Sequence, residues 1–116
     1  MSTHKGSCHC GKVAFEVETD LEQVIECNCS HCRRKGYLLT FVPRGALTVT
    51  RGEGDLSTYT FNTHTIQHRF CSTCGCAPFG EGRNPNGEAT AAVNVRCLDD
   101  VELSELKPVP VDGRNF

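Results

Sequence analysis

Residues 27–32 read Cys-Asn-Cys-Ser-His-Cys, three thiols and an imidazole in one short stretch. Cys8 and Cys10 form a further C-x-C pair, and Cys71 and Cys74 a C-x-x-C pair. Thiols at these spacings grip a metal ion, because ligands close in sequence share a turn or one face of a strand. Zinc takes four Cys or His ligands in structural sites, and three plus water or substrate in catalytic ones. Disulfides fit less well. Nine cysteines are an odd number, so complete pairing leaves a thiol over, and bridging the two thiols of a C-x-C strains the geometry.

Counting ligands divides the clusters. Cys8, Cys10, Cys71 and Cys74 complete one four-cysteine structural site. Cys27, Cys29 and Cys32 then remain as a group of three, the number that leaves a metal with an open position. A second partition closes this group with His31, Cys76, His64 or His68 and makes both metals structural; spacing alone does not choose between them. Gly11 follows Cys10 and Gly75 follows Cys74, so the chain can turn there with positive φ and aim backbone N–H groups at the sulfurs. Cys97 continues the odd-numbered apolar face of Ala91, Val93 and Val95 and reads as a buried thiol. His68, between Ile66 and Phe70 on an apolar face, reads as a core histidine.

Arg33-Arg34-Lys35 follows the densest cluster. Its plainest reading is a solvated basic turn that offsets thiolate charge. Its functional reading makes Arg33 and Lys35 anchors for an anionic substrate group, Arg being suited to bidentate carboxylate contacts.

The elements that must position these residues are strands. Val13, Phe15 and Val17 alternate with more polar residues, as a half-buried strand requires. Further strands are expected over 24–29, 37–42, 47–51, 57–61, 66–70 and 89–95, punctuated by Gly and Pro. That pattern is all-β. Residues 80–88 read as a loop and 98–106 as containing a helical turn. With 116 residues, one domain is expected; we place it over 1–106, with 107–116 an extended C-terminal tail.

Composition removes other classes. Twelve Lys and Arg against fourteen Asp and Glu give a net charge of −2, and Trp is absent, so neither a basic footprint nor an aromatic platform for nucleic acid is evident. No apolar run approaches the roughly 20 residues that span a bilayer, and the opening Met-Ser-Thr-His-Lys-Gly lacks the apolar region of a secretory signal. A cytoplasmic location is therefore expected, where clustered cysteines bind metal or catalyse. A thioredoxin-like redox role for the C-x-x-C lacks the βαβ context it needs.

G-S-C-H-C-G-K-V-A-F-E-V at 6–17, C-N-C-S-H-C-R-R-K-G at 27–36, F-C-S-T-C-G-C-A-P-F at 70–79 and V-N-V-R-C-L-D-D at 93–100 resemble the glutathione-dependent formaldehyde-activating enzyme family. The resemblance implies a β-tent fold of short antiparallel strands with zinc-binding cysteine turns, and two zinc ions per chain. It matches Cys8, Cys10, Cys71 and Cys74 to a structural zinc, and Cys27, Cys29 and Cys32 to a second zinc. It also implies a small thiol, glutathione, as partner and a carbon–sulfur lyase reaction run in reverse, joining glutathione to formaldehyde. The chain departs from the family pattern in its shorter length and in Cys76, where a non-ligand is more usual. The alternative is a non-catalytic zinc module that carries a small thiol or docks on a protein.

Overall fold

We describe a computed structural model over residues 2–61 and 65–112. The alternating stretch around Phe15 is strand β2 (Ala14–Thr19), flanked antiparallel by β1 (Ser2–Ser7) and β5 (Leu47–Arg51) in a three-stranded sheet. A second sheet has seven strands: β3 (Ile25–Cys27), β4 (Leu39–Pro43), β6 (Leu56–Tyr59), β7 (Gln67–Cys71), β8 (Phe79–Arg83), β9 (Ala89–Asn94) and β10 (Val109–Val111). Their order is β10-β3-β4-β9-β8-β7-β6. All neighbours are antiparallel except β10, which lies parallel to β3. The fold is thus mostly β, with the cysteine groups in and beside turns, as expected from the sequence.

Alternation decides which face of each strand is buried. Phe15, Val17 and Leu47 from the small sheet pack against Val42, Phe79, Ala91 and Val93 from the large one. Phe15 and Phe79 meet edge to face, ring centroids 6.1 Å apart. Fully burying such a side chain contributes roughly 1.5–3 kcal/mol, so this seam joins the two sheets. The opposite face of the large sheet carries the other residues of the same strands: Leu39 and Phe41 of β4, Gly80 of β8, Ala92 of β9 and His68 of β7. A row across that face follows from the pairing register: Tyr59 opposite His68, His68 opposite Gly80, Gly80 opposite Ala92, and Ala92 opposite Phe41.

Several elements differ from the sequence-based expectation. The strand expected over 24–29 ends at Cys27, because Cys29 becomes the N-cap of helix α1 (Ser30–Lys35). The Cys29 Sγ accepts the Cys32 N–H at 3.2 Å, and Gly36 closes the other end with φ of 73°. Arg33, Arg34 and Lys35 are the last turn of this helix, where cations favour its dipole. Residues 79–83, expected partly as loop, pair on both sides as β8; the turn itself is confined to 84–87, where the Asn84 side chain accepts the N–H groups of Asn86 and Glu88 at 3.0 and 2.9 Å. β1 is a strand despite its polar sequence, since it pairs along its length with β2. A 3-10 turn forms at Leu103–Glu105, within the stretch expected to hold a helical turn.

Candidate metal centres

The chain reverses at residues 8–13 and again at 71–76, and the fold sets the two turns against each other. Each opens on a cysteine whose N–H donates to the carbonyl five residues on, Cys8 to Val13 at 3.0 Å and Cys71 to Cys76 at 2.9 Å. The Val13 N–H points at the Cys8 Sγ at 3.4 Å, and the Thr73 N–H at the Cys71 Sγ at 3.4 Å. Gly11 and Gly75 have φ of 81° and 77°, the conformation their lack of Cβ permits. Gly11 donates to the Cys8 carbonyl and Gly75 to the Cys71 carbonyl. The result gathers Cys8, Cys10, Cys71 and Cys74, with all four sulfurs within 4.8 Å of one another.

This arrangement fits a tetrahedral metal. With metal–sulfur bonds of about 2.3 Å, the edge of such a tetrahedron is about 3.8 Å; Cys8–Cys10 and Cys10–Cys71 are 3.6 and 3.7 Å apart, sulfur to sulfur. Ionisation is unevenly shared among the thiols. Backbone N–H groups of Cys10 and Cys76 draw Cys74 down to about 6. Cys10 moves the other way, to about 11: the Lys12 backbone N–H favours its thiolate, but desolvation and the sulfurs of Cys8, Cys71 and Cys74 outweigh it. Thiolates crowded around one point call for a cation at their centre.

The second group is Cys27, Cys29 and Cys32, again with sulfurs within 4.8 Å of one another. β3 delivers Cys27, the N-cap delivers Cys29 and the first turn of α1 delivers Cys32. Desolvation opposes the Cys29 thiolate, but hydrogen bonds from the Cys32 backbone and side chain hold its pKa below the ordinary thiol value. Burial and the neighbouring sulfurs of Cys29 and Cys27 push Cys32 up. Among the described residues no fourth Cys, His or carboxylate joins this group. The thiols open instead onto a cavity of about 420 Å³, walled by Ile25, Leu39, Phe41, Phe61, Ile66 and His68. A second cavity of about 610 Å³ shares Tyr37, Phe61 and His68 with the first and is edged by Arg34, Lys35 and Arg69.

The candidates for a fourth ligand go elsewhere. Cys76 lies with its sulfur 3.6 Å from that of Cys97. Cys97 is buried, as its place on the β9 pattern implies, although it sits in a 3-10 turn after the strand. His31 turns into a cluster of rings, 4.3 Å from His68 and 5.2 Å from Phe61 between centroids, and its Nδ1 is buried without a partner. His68 corrects the sequence reading. It is no core histidine but part of the cavity wall, stacked on Phe61 at 5.1 Å; the face shared by Ile66, His68 and Phe70 is the one turned away from the core, and Ile66 is 50% exposed. His64 lies outside the described residues. His9 is exposed in the turn between Cys8 and Cys10.

Arg33 and Lys35 are separated by the helix. Arg33 lines a cavity of about 410 Å³ between α1 and β10, with Cys27, Cys32 and Asp112. Lys35 lines the large cavity, its Nζ 5.5 Å from the centroid of Phe70.

A family model described as glutathione-dependent formaldehyde-activating enzyme matches residues 3–111. The chain belongs to that family. A crystal structure of a Rhodobacter sphaeroides protein, solved as a structural-genomics target, is similar to it at 37% identity and a TM-score of 0.81, over 91% of this chain and 97% of that one. In this member of the glutathione-dependent formaldehyde-activating family, the residues that sequence reasoning missed are the ring-bearing walls Tyr37, Tyr59 and Phe61, and it gave His68, which stands among them, another place. The available signal was His68 itself, a titratable group on a face where Gly80 and Gly82 of the neighbouring strand offer no side chain to cover it.

Proposed function

We propose that this protein is a zinc enzyme that joins a small thiol, such as glutathione, to an aldehyde, such as formaldehyde, in the manner of S-hydroxymethylglutathione synthase. One observation carries the reading: three thiols converge at the head of a cavity with no fourth ligand among the described residues. On this reading Cys8, Cys10, Cys71 and Cys74 hold a structural zinc, and Cys27, Cys29 and Cys32 hold a second. A zinc at the second group, with one position open, would supply a Lewis acid at which a substrate thiol ionises near neutral pH.

The chain's own residues do the rest. Cys27, Cys29 and Cys32 are fixed by a strand, a cap and a helix, so the open side of the group faces the cavity. Arg34 and Lys35 edge the adjoining cavity and suit the carboxylates of a glutathione-like thiol; Arg69, also on its edge, is held by Glu81 at 3.0 Å, and Arg33 lies across the helix. His68 stays neutral, because burial, aided by His31 and Lys35, pushes its pKa down to about 4. We assign it the N–H that meets the carbonyl oxygen as the carbon–sulfur bond forms.

Exchange NMR on the zinc-loaded protein with glutathione and formaldehyde tests the proposal. Acceleration over the uncatalysed addition is expected, with a loss of at least about 100-fold in Cys32→Ala. No acceleration across several thiols would leave the non-catalytic zinc module as the reading.

A further inference from the structure

The cavity at the three thiols is much larger than formaldehyde, a molecule of two heavy atoms, and differs from it in character. Its described lining includes Ile25, Leu39, Phe41, Ile66, Ala92 and Val111, and no Lys, Arg, Asp or Glu. Cavities of about 300–1,000 Å³ with such walls take ligands with substantial apolar surface. The shape has a definite origin. In the row that crosses the outer face of the large sheet, the middle positions are Gly80 and Ala92, and the outer ones are His68 and Tyr59 on one side and Phe41 on the other. Small residues between large ones make a trough. A side chain at Gly80 would begin to fill it, its Cβ 3.4 Å from the Gln67 carbonyl oxygen.

Exposed apolar side chains gather at the same place. Among the described residues, four large hydrophobics stand half or more exposed: Phe41 at 54%, Tyr59 at 50%, Ile66 at 50% and Val109 at 52%. Phe41 and Ile66 form the mouth of this cavity, and Tyr59 edges the adjoining one. Scattered exposed residues need no explanation, but a cluster at the rim of a reactive pocket marks a binding surface. The two cavities divide the chemistry. Cations edge one, which suits a charged thiol. The other would leave charge unpaired, and burying unpaired charge is costly.

We propose that the aldehyde taken by this protein carries a hydrocarbon chain or ring, which seats in the trough between Phe41 and His68 over Gly80 and Ala92. This rests on the thiol-plus-aldehyde reading above and names its second substrate class. The step is an addition: the thiol sulfur bonds to the carbonyl carbon, the C=O π pair goes to oxygen, and the thiol proton ends on that oxygen as a hydroxyl. Nothing is oxidised or reduced.

The test has two arms on the zinc-loaded protein. In the first, unreactive alcohols report the trough by NMR shifts of the Leu39, Ile66 and Val111 methyl groups. Affinity is expected to rise about four-fold per methylene from propanol to hexanol, and to fall about ten-fold for hexanol in Ala92→Leu, which fills the floor. Ile66→Ala, at an exposed rim position that does not threaten the fold, should weaken hexanol by a few-fold. Equal binding of all alcohols, or shifts elsewhere, would overturn the inference. In the second arm, exchange with glutathione is compared for hexanal and formaldehyde. Greater acceleration for hexanal, lost in Ala92→Leu, is the expected result. Acceleration for formaldehyde alone would overturn this inference and leave the general reaction standing; acceleration for neither aldehyde would remove both.

Discussion

At the scale of single residues, a cysteine's loss has a consequence set by the group it belongs to. Cys8 and Cys71 are 2% and 0% exposed and sit where the two cysteine turns meet, so Cys74→Ala or Cys8→Ala leaves three thiolates clustered without a complete site. Loss of such a site costs several kcal/mol, comparable to a whole domain's stability of about 5–15 kcal/mol; circular dichroism of either variant should show an unfolded chain. Cys32→Ala should keep the fold and lose only the second metal. Equal unfolding in both would make the second centre structural. His68 gives a different signal. Its ordinary pKa of 6.5 is lowered to about 4 by burial, with His31 and Lys35 adding to the effect. The unfolded chain therefore binds the extra proton between those values, and stability falls as pH drops from about 6.5 toward 4. At pH 5.5 an ordinary imidazole is about nine-tenths protonated, whereas NMR of the folded protein should show His68 neutral. His68→Phe should preserve the stack on Phe61 and lower the rate about 10²-fold or more without changing metal content.

At the scale of elements, β3 is the weak point. It has three residues and a single register pair with β4, Ile25 to Leu39. β10 supports its other edge: Val109 donates to the Val24 carbonyl at 2.9 Å, the Asn28 N–H reaches the Val111 carbonyl at 3.1 Å, and the Asn28 side-chain amide donates to Asp112 at 2.9 Å. These bonds hold the segment that carries Cys27 and leads to Cys29. Truncation after Lys107 should lower metal affinity at the second centre by about 10–100-fold, as the loss of supporting bonds does at metal sites. Metal analysis against competing chelators should find the four-cysteine centre unaffected.

The same scale explains what could be read from the sequence. Phe15 and Val17 announced their strand because one face meets the core and the other does not. The cysteine pairs announced their groupings because metal ligation is local, two ligands to a turn. β1 gave no sign, since Ser2, Thr3 and Lys5 are exposed and its only cause is pairing with β2. β8 was hidden by Gly80 and Gly82, which lower strand propensity; Gly80 also floors the site. α1 is too short to show a helical period; its causes are the Cys29 cap and Gly36. The alternation of Ile66, His68 and Phe70 was visible, but alternation cannot say whether an apolar face meets a core or a cavity. The pairing of Cys76 with Cys97 depends on tertiary contact alone.

At the scale of the whole molecule, the proposed reading divides the work between the two cysteine groups. One four-cysteine centre ties the small sheet to the end of β7, beside the core that Phe15 and Phe79 join. The other lies on the outer face of the large sheet, away from that core, where a metal can be exchanged without loosening the seam. Titration with a strong zinc chelator should therefore proceed in two steps: release of one metal with the near-ultraviolet spectrum retained, then release of the second with cooperative unfolding. The decisive measurement is zinc X-ray absorption on protein purified without oxygen, with the metal content determined on the same sample. A four-sulfur centre and a three-sulfur centre with one light atom average to about 3.5 sulfur neighbours and 0.5 oxygen or nitrogen neighbours per zinc, at two zincs per chain. Four protein ligands on both zincs, or a single zinc per chain, would contradict the account.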